Sequence, residues 1–189
     1  MLARTSGNHE PRRSGRGAVF DPLIGLTDGM PVTNTEPSAA EIIAELASFP
    51  LELARSIFSG NEPEDLLQPS SDGGWGVVEI VPHLRDWEII YSERARRIVD
   101  EEHPSLPAYD DTLWSIERDY RDQEPRTTFE EFRKLRETLV TFLTTLTDDD
   151  WLRTGKHSYY GDIDLLWMGR HIVEHDEEHL QQARDALAS

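Results

Sequence analysis

The sequence contains no cysteine. This absence excludes disulfide bonds, catalytic thiolates and thiolate metal ligands, so any metal site has to use histidine, aspartate, glutamate or water. Long apolar runs are missing as well, because no segment approaches the roughly 18 residues of a membrane-spanning helix. The first residues also lack the apolar stretch of a secretory signal. We therefore expect a soluble cytoplasmic protein.

Positive charge is scarce. The 189 residues include 19 Lys plus Arg against 37 Asp plus Glu, which gives a formal net charge of −18. The acidic residues are spread along the chain, and such a surface repels nucleic-acid phosphates and anionic lipid headgroups. We expect a small-molecule substrate, and no nucleic-acid or membrane partner.

The N-terminal segment differs in composition from the rest. Residues 1–29 are rich in Arg, Gly, Ser and Pro and show no apolar period, which is typical of a segment that cannot bury a core. We expect residues 1–35 to form a disordered or poorly ordered extension and residues 36–189 to form one domain. Met30 is a second candidate for the start of the native protein.

Helical periodicity dominates the remainder. Apolar residues recur at helical spacing in four segments, at about 38–58, 77–99, 128–146 and 163–187. Ser38 and Glu41 have the spacing of a capping box, whereas Pro50 predicts a kink or break in the first helix and Pro82 a tilt in the second. No segment alternates like a strand. We predict an all-α fold, an antiparallel four-helix bundle with long inter-helix loops.

Two loops separate the helices of the C-terminal half. Residues 101–127 include three prolines and are predicted to be fixed by Leu113, Trp114 and Tyr120, or to contain a short helix. Residues 147–161 form the second loop. Loops of this length in a compact domain are often functional.

Histidines recur on the last predicted helix. His171, His175 and His179 are spaced i, i+4 and i+8, which places them on one side of a helix, with His175 and His179 near the centre of its apolar stripe. His83 lies at the edge of the apolar stripe of the second helix. Buried imidazoles are costly unless they are satisfied, and a divalent metal bound by His83, His175 and His179 would satisfy them.

Other interpretations of the histidines stay open. Two histidines at i and i+4 on a helix are often free of metal, and His171 fits a position beside the site better than a ligand. His9, His103 and His157 are expected on the surface or in loops. His175 and His179 also have the spacing of a zincin H-E-x-x-H motif, but Asp176 replaces the general-base glutamate and no third ligand follows. A di-iron site is disfavoured because the second E-x-x-H motif is missing.

Three stretches resemble the DinB-like superfamily of metal-binding bundles, to which YfiT is related. Residues 75–84 (WGVVEIVPHL) are similar to the W-S-x-x-E-V-x-x-H-L segment of that family, although Gly76 replaces the usual Ser or Thr and Pro82 precedes His83. Residues 160–165 (YGDIDL) resemble the turn before the last helix. Residues 175–182 (HDEEHLQQ) resemble the H-D-x-x-H-x-x-Q signature.

The resemblance implies more than the spacing does. It implies a four-helix bundle of the DinB/YfiT type, with His83, His175 and His179 as metal ligands and Gln182 as a supporting residue. Members of the superfamily include transferases and isomerases that use low-molecular-weight thiols, and proteins described as metal-dependent hydrolases. Homodimers are common among them, so a homodimer is expected here.

The leading hypothesis is a metal-dependent enzyme with Zn or Ni, and with Fe as a further option. Three protein ligands leave an open position at which a thiol or a water is activated, for thiol transfer or for hydrolysis. Because the chain has no cysteine, the thiol would be a cosubstrate. The pocket mouth is expected to include Arg85, Tyr159, Tyr160 and His171, which are equally compatible with packing. The alternatives are a non-catalytic metal-binding, stress-response or ligand-sensing protein, and a metal-free bundle.

Overall fold

The computed structural model describes residues 37–71 and 73–188. The expected N-terminal extension, Met30 and His9 lie outside the described residues. Four long helices dominate, namely α1 (Ala39–Phe58), α2 (Val77–Asp100), α4 (Pro125–Leu143) and α6 (Leu165–Ala188), together with the short helices α3 (Trp114–Glu117) and α5 (Asp148–Trp151). The predicted all-α bundle is confirmed.

The first helix begins with the predicted capping box. The Ser38 hydroxyl accepts a hydrogen bond from the backbone N–H of Glu41 at 3.3 Å, and the Glu41 carboxylate accepts one from the Ser38 N–H at 2.8 Å. Helix α1 continues through Pro50 without a break. Proline cannot donate to the carbonyl four residues earlier, and that carbonyl, of Leu46, instead accepts a hydrogen bond from the Arg136 guanidinium at 3.4 Å.

The long helices pack as two antiparallel pairs, namely α1 with α4 and α2 with α6. Helix α1 contacts α4 and α6, and α2 contacts the same two helices. Contacts of Phe49 with Phe132 and of Phe58 with Phe129 show that α1 and α4 run in opposite directions. In contrast, contacts between α2 and α4 advance in the same direction along both helices, as the pairs Arg85–Glu131 and Glu88–Arg136 show.

Parallel packing of α2 and α4 explains the long connection between them. The chain leaves the end of α2 and has to return along the bundle before α4 can begin. Residues 101–124 make this return across the surface of α2, and their contacts occur in the expected order, namely Pro107 with Arg94, Asp111 with Trp87, Tyr120 with Asp86 and Arg121 with Glu79. Buried Trp114 and Tyr120 anchor the connection, as predicted, but Leu113 does not, because its side chain is 55% exposed.

A small sheet was not expected from the sequence. Strands β1 (Ser105–Leu106), β2 (Thr154–His157) and β3 (Gly161–Asp164) form it in the order β1-β2-β3, with a parallel and then an antiparallel pair. The expectation of no strands was wrong because four residues are too few to establish a period of two. Gly161 has a φ of 79°, which suits glycine in the turn between β2 and β3.

The core lies between the four long helices. One apolar cluster fills the half of the bundle nearest the sheet, and a second fills the half around α4 and the start of α2. None of the helices described within residues 37–188 combines the length and the apolar character that a membrane span requires.

Candidate metal centre

Helix α2 carries His83 into the interior near its own beginning. Gly76 precedes the helix, and its N–H donates to the Glu79 carboxylate at 2.9 Å, so the first turn is capped without a Ser or Thr side chain. A side chain at position 76 would not fit, because a Cβ there would lie 2.1 Å from the carbonyl oxygen of Gln68. The helix continues through Pro82, and His83 is 4% exposed.

Helix α6 brings two further histidines to the same place. It runs antiparallel to α2, and its inward face presents His175, which is 8% exposed, and half-buried His179. One nitrogen from each of the three imidazoles lies within 4.8 Å of the other two. The Nε2 atoms of His83 and His175 are 3.3 Å apart, which is about the separation of two nitrogens on one tetrahedral ion with bonds of about 2.0–2.1 Å.

The environment keeps the three imidazoles neutral. Burial lowers the pKa of His83 and of His175 well below its usual value, and their neighbouring histidines lower it further. Burial also lowers the pKa of His179 to about 4, against the opposing effect of its hydrogen bond to Gln182. At neutral pH each ring therefore has a nitrogen lone pair available, as metal ligation requires.

Gln182 lies one helical turn beyond His179 and touches it. The Gln182 Oε1 atom is 2.9 Å from His179 Nδ1. A carbonyl oxygen only accepts, so Nδ1 carries the proton and donates it, and Nε2 keeps its lone pair. The position predicted to support the site is therefore in contact with a member of the histidine cluster and sets its tautomer.

Aromatic rings enclose the cluster. Trp75 meets the His83 ring edge-on at a centroid distance of 4.9 Å and stacks at 6.4 Å on the His179 ring. Trp87 contacts His83 and His175 at 6.4 and 6.1 Å, and Tyr91 contacts His175 at 5.9 Å. This apolar wall lowers the local dielectric constant and strengthens every electrostatic interaction inside.

A carboxylate from the connection 101–124 reaches the cluster. The Oδ2 atom of Asp111 lies 4.0 Å from His83 Nε2 and accepts a hydrogen bond of 2.9 Å from Trp87 Nε1. The Asp111 side chain is 33% exposed, so it connects the buried nitrogens with solvent. Sequence reasoning missed Asp111, because its position depends on the path of the connection over α2 and no local motif marks it.

The other predicted pocket residues lie farther out. His171 stacks on Trp167 at 5.0 Å, outside the three-histidine cluster, and Tyr91 contacts both His171 and His175. Tyr160 contacts His171 at 5.9 Å. Tyr159 is 67% exposed, and Arg85 pairs with Asp86 and with Glu131 between α2 and α4.

His157 corrects an expectation. It was predicted on the surface or in a loop, but it lies in β2 and is buried, because the pairing of β2 with β1 and β3 turns its side chain inward. Its Nδ1 accepts the backbone N–H groups of Tyr159 and Tyr160, each at 3.2 Å. Burial lowers its pKa to about 4, with a further contribution from Arg94. His103 is exposed, as expected.

A buried network of ion pairs lies next to the histidine cluster and joins α2, α4 and α6. Arg136 on α4 pairs with Glu88 on α2 at 2.8 Å and with Asp176 on α6 at 2.6 Å, and all three are almost fully buried. Asp176 follows His175 directly and fixes the orientation of α6. Sequence reasoning missed this network because Asp176 begins an acidic run that is typical of a solvent-exposed face.

Comparisons with known proteins show which proteins this chain is similar to. The family model described as the DinB superfamily matches residues 51–183. A "Putative metal-dependent hydrolase" of Oceanobacillus iheyensis is 23% identical over 149 residues, which are 79% of this chain and 85% of that protein. The "Putative metal-dependent hydrolase YfiT" of Bacillus subtilis is 29% identical over 118 residues, which are 58% of this chain and 66% of that protein.

A solved structure shares the fold. It is described as "YfiT from Bacillus subtilis is a probable metal-dependent hydrolase with an unusual four-helix bundle topology". Its TM-score is 0.73 at 24% identity, and the match covers 86% of this chain and 93% of that one.

Proposed function

Because the chain belongs to the DinB superfamily, we propose that it is a metal-dependent hydrolase whose divalent ion is held by His83, His175 and His179. The observation that carries this proposal is the convergence of three neutral imidazoles from two helices, two of them buried and one half-buried, with one nitrogen of each within 4.8 Å of the others. The names of the relatives support the reaction class.

The residues present fit a divalent cation of the borderline class. Three imidazole nitrogens suit Zn, Ni or Fe(II), and the complete absence of cysteine disfavours ions that require thiolates. Two buried nitrogens, Nδ1 of His83 and Nδ1 of His175, have no protein partner among the described residues. They are the protonated positions if each Nε2 is a ligand. When bound, the ion lowers the pKa of a coordinated water and polarises the substrate.

Asp111 has the geometry of a proton acceptor. Its Oδ2 atom lies beside the cluster, 4.0 Å from His83 Nε2, and the hydrogen bond from Trp87 Nε1 holds it there. In the reaction, Asp111 Oδ2 takes a proton from the attacking water while the water oxygen bonds to the electrophilic carbon of the substrate. The same carboxyl then returns the proton to the leaving group as the bond between that group and the carbon breaks.

The thiol chemistry that the resemblance implies remains the second candidate within this class. A low-molecular-weight thiol could replace water at the same open position, and Asp111 would accept its proton instead. The chain supplies no thiol of its own, so this reaction needs a cosubstrate. The names of the relatives favour water as the nucleophile.

The test begins with metal content. Protein purified without an affinity tag should contain about one divalent ion per chain by mass spectrometry of the metals, and His175→Ala should lose it. His171→Ala is the matched control, since it removes an imidazole from the same helix outside the cluster, and it should keep the metal. A metal-free wild-type protein, or equal metal in both variants, would contradict the proposed site.

Activity is tested next on a panel of esters and amides, with and without added thiols. Turnover should be abolished by a chelator and restored by Zn or Ni. Asp111→Asn should lower kcat about 10²- to 10⁴-fold while the metal stays bound. Turnover that appears only with a thiol would replace the hydrolase by a thiol transferase. No turnover across both panels would leave a non-catalytic metal-binding protein.

A further inference from the structure

One buried charge has no counter-ion. Arg94 on α2 is 7% exposed, and among the described residues no carboxylate pairs with its guanidinium. Its Nη2 donates to the Pro107 carbonyl at 2.7 Å, whereas its Nε is buried and has no hydrogen-bond partner. Burying a charge or a donor without a partner is costly, so an unpartnered guanidinium calls for an explanation.

The rest of the chain shows how unusual this is. The other buried ionic side chains, on α2, α4 and α6, all have partners of opposite charge, namely Glu79 with Arg121, Asp86 with Arg85 and Arg118, and Glu88 and Asp176 with Arg136. With 37 carboxylates in the sequence, a partner for Arg94 would have been easy to supply. Among the described residues, Arg94 is thus the buried ionic side chain that lacks a partner of opposite charge.

Arg94 lies close to the proposed metal centre. Its guanidinium carbon is 5.6 Å from the centre of the Trp87 ring, and Trp87 contacts both His83 and His175. The same distance separates it from Tyr109, which belongs to the connection that also carries Asp111. A single aromatic ring, that of Trp87, therefore contacts both this guanidinium and two of the three histidines.

We propose that Arg94 binds a carboxylate of the substrate, which places the substrate among esters or amides that carry a negatively charged group beyond the scissile bond. This inference rests on the proposed function. A planar guanidinium matches a carboxylate with charge-assisted hydrogen bonds. A monoanion fits better than a phosphate dianion, because one unpaired positive charge is available in a protein with a net charge of −18.

Binding is tested directly by NMR on the full chain, following the Arg94 Nε–H resonance. The probes are benzoate, its neutral analogue benzamide, and phenyl phosphate. Benzoate should shift the resonance saturably and benzamide should not. No saturable shift, or tighter binding of phenyl phosphate than of benzoate, would overturn the proposal.

Variants separate binding at Arg94 from a general effect of charge. Arg94→Gln should lose benzoate binding, whereas Arg97→Gln, the same substitution at a half-buried position of α2, should keep it. Arg94→Gln should also be at least as resistant to urea as Arg97→Gln, because it removes an unpaired buried charge. Unchanged benzoate binding in Arg94→Gln, or a large loss of stability there alone, would indicate a structural role and overturn the proposal.

Hydrolysis provides a second readout. Mono-4-nitrophenyl esters of succinate, glutarate and adipate are compared with the corresponding neutral methyl 4-nitrophenyl diesters. Arg94→Gln should lower kcat/KM for the charged esters about 10- to 100-fold and leave the neutral esters within about twofold. The NMR result does not depend on metal or turnover, so failure of the hydrolase proposal and failure of the Arg94 proposal can be told apart.

Discussion

Individual residues determine whether the histidine cluster can hold an ion. A ligating imidazole must present a lone pair from the correct nitrogen, and the partner of its other nitrogen fixes that choice. For His179 this partner is Gln182, whose oxygen lies 2.9 Å from Nδ1. The amide therefore acts on the ion through the imidazole.

We expect Gln182→Leu to lower the affinity for Zn about 10- to 100-fold, because the His179 ring loses its orientation and its preferred tautomer. Competition with a fluorescent chelator measures this affinity. Gln181→Leu is the matched control, since Gln181 is exposed and contacts Asp185 rather than a histidine. Equal affinities in the two variants would show that Gln182 does not set the tautomer.

At the level of the helices, the conformation at the start of α2 determines the positions of the His83 and Trp75 side chains. Position 76 is occupied by glycine, although the family pattern has Ser or Thr there. The structure explains the departure, since the Gln68 carbonyl lies where a Cβ would be. The loop before α2 lies close against the start of the helix, and the Glu79 carboxylate accepts the hydrogen bond from the Gly76 N–H.

Gly76→Ser should therefore destabilise the protein by about 1–3 kcal/mol, because a side chain would push the Gln68 backbone away. The free energy of unfolding in urea measures it. Ser38→Gly at the start of α1 is the comparison, and it should cost only a few tenths of a kcal/mol. A Gly76→Ser variant as stable as the wild type would show that the loop yields easily.

The helices are also joined by Arg136, which links α4 to α2 and α6 through Glu88 and Asp176. Arg136→Met should destabilise the protein by about 3–5 kcal/mol, because two buried carboxylates lose their counter-charge. Arg133→Met, on the same helix at an exposed position, should have little effect. Chemical denaturation of both variants checks the prediction, and similar losses would contradict it.

Some features of the fold and of the candidate site can be predicted from the sequence, and others cannot. The apolar period and the capping box at Ser38 establish the four helices, and the spacing of His175 and His179 identifies two of the three histidines of the cluster. Asp111, Arg94 and Arg136 are different, because their partners depend on the return of the connection over α2 and on which helices are neighbours. Tertiary packing decides such contacts, and no local pattern encodes them.

The molecule as a whole should respond to pH through its buried histidines. Burial lowers the pKa of His157 and His179 to about 4, and that of His83 and His175 well below the usual 6.5. Between about pH 4 and pH 6.5 the histidines of the unfolded chain bind protons that those of the folded chain do not. Stability is therefore fully present above about pH 6.5 and is lost as the pH falls toward 4.

Asp176 opposes this trend, because burial raises its pKa to about 6, and the folded state then binds its proton first. The four histidines together change the free energy of unfolding with pH more than this one carboxyl does. We expect the unfolding free energy of the chelator-treated protein to fall by on the order of 1–3 kcal/mol per pH unit between pH 6.5 and 4.5. Urea denaturation at several pH values measures it, and a stability that stays constant or increases toward pH 4.5 would contradict the assigned burial.

The path of residues 101–124 has a consequence for how this scaffold can diversify. The two helices that supply the imidazoles are constrained by core packing on their inward faces, whereas the overlying connection supplies Asp111 and Tyr109 from a largely exposed segment. Substitutions in residues 101–124 can therefore accumulate without disturbing the three-histidine cluster. If the proposed hydrolase activity is correct, relatives with the same histidines can differ in substrate, and grafting this segment between them should transfer substrate preference.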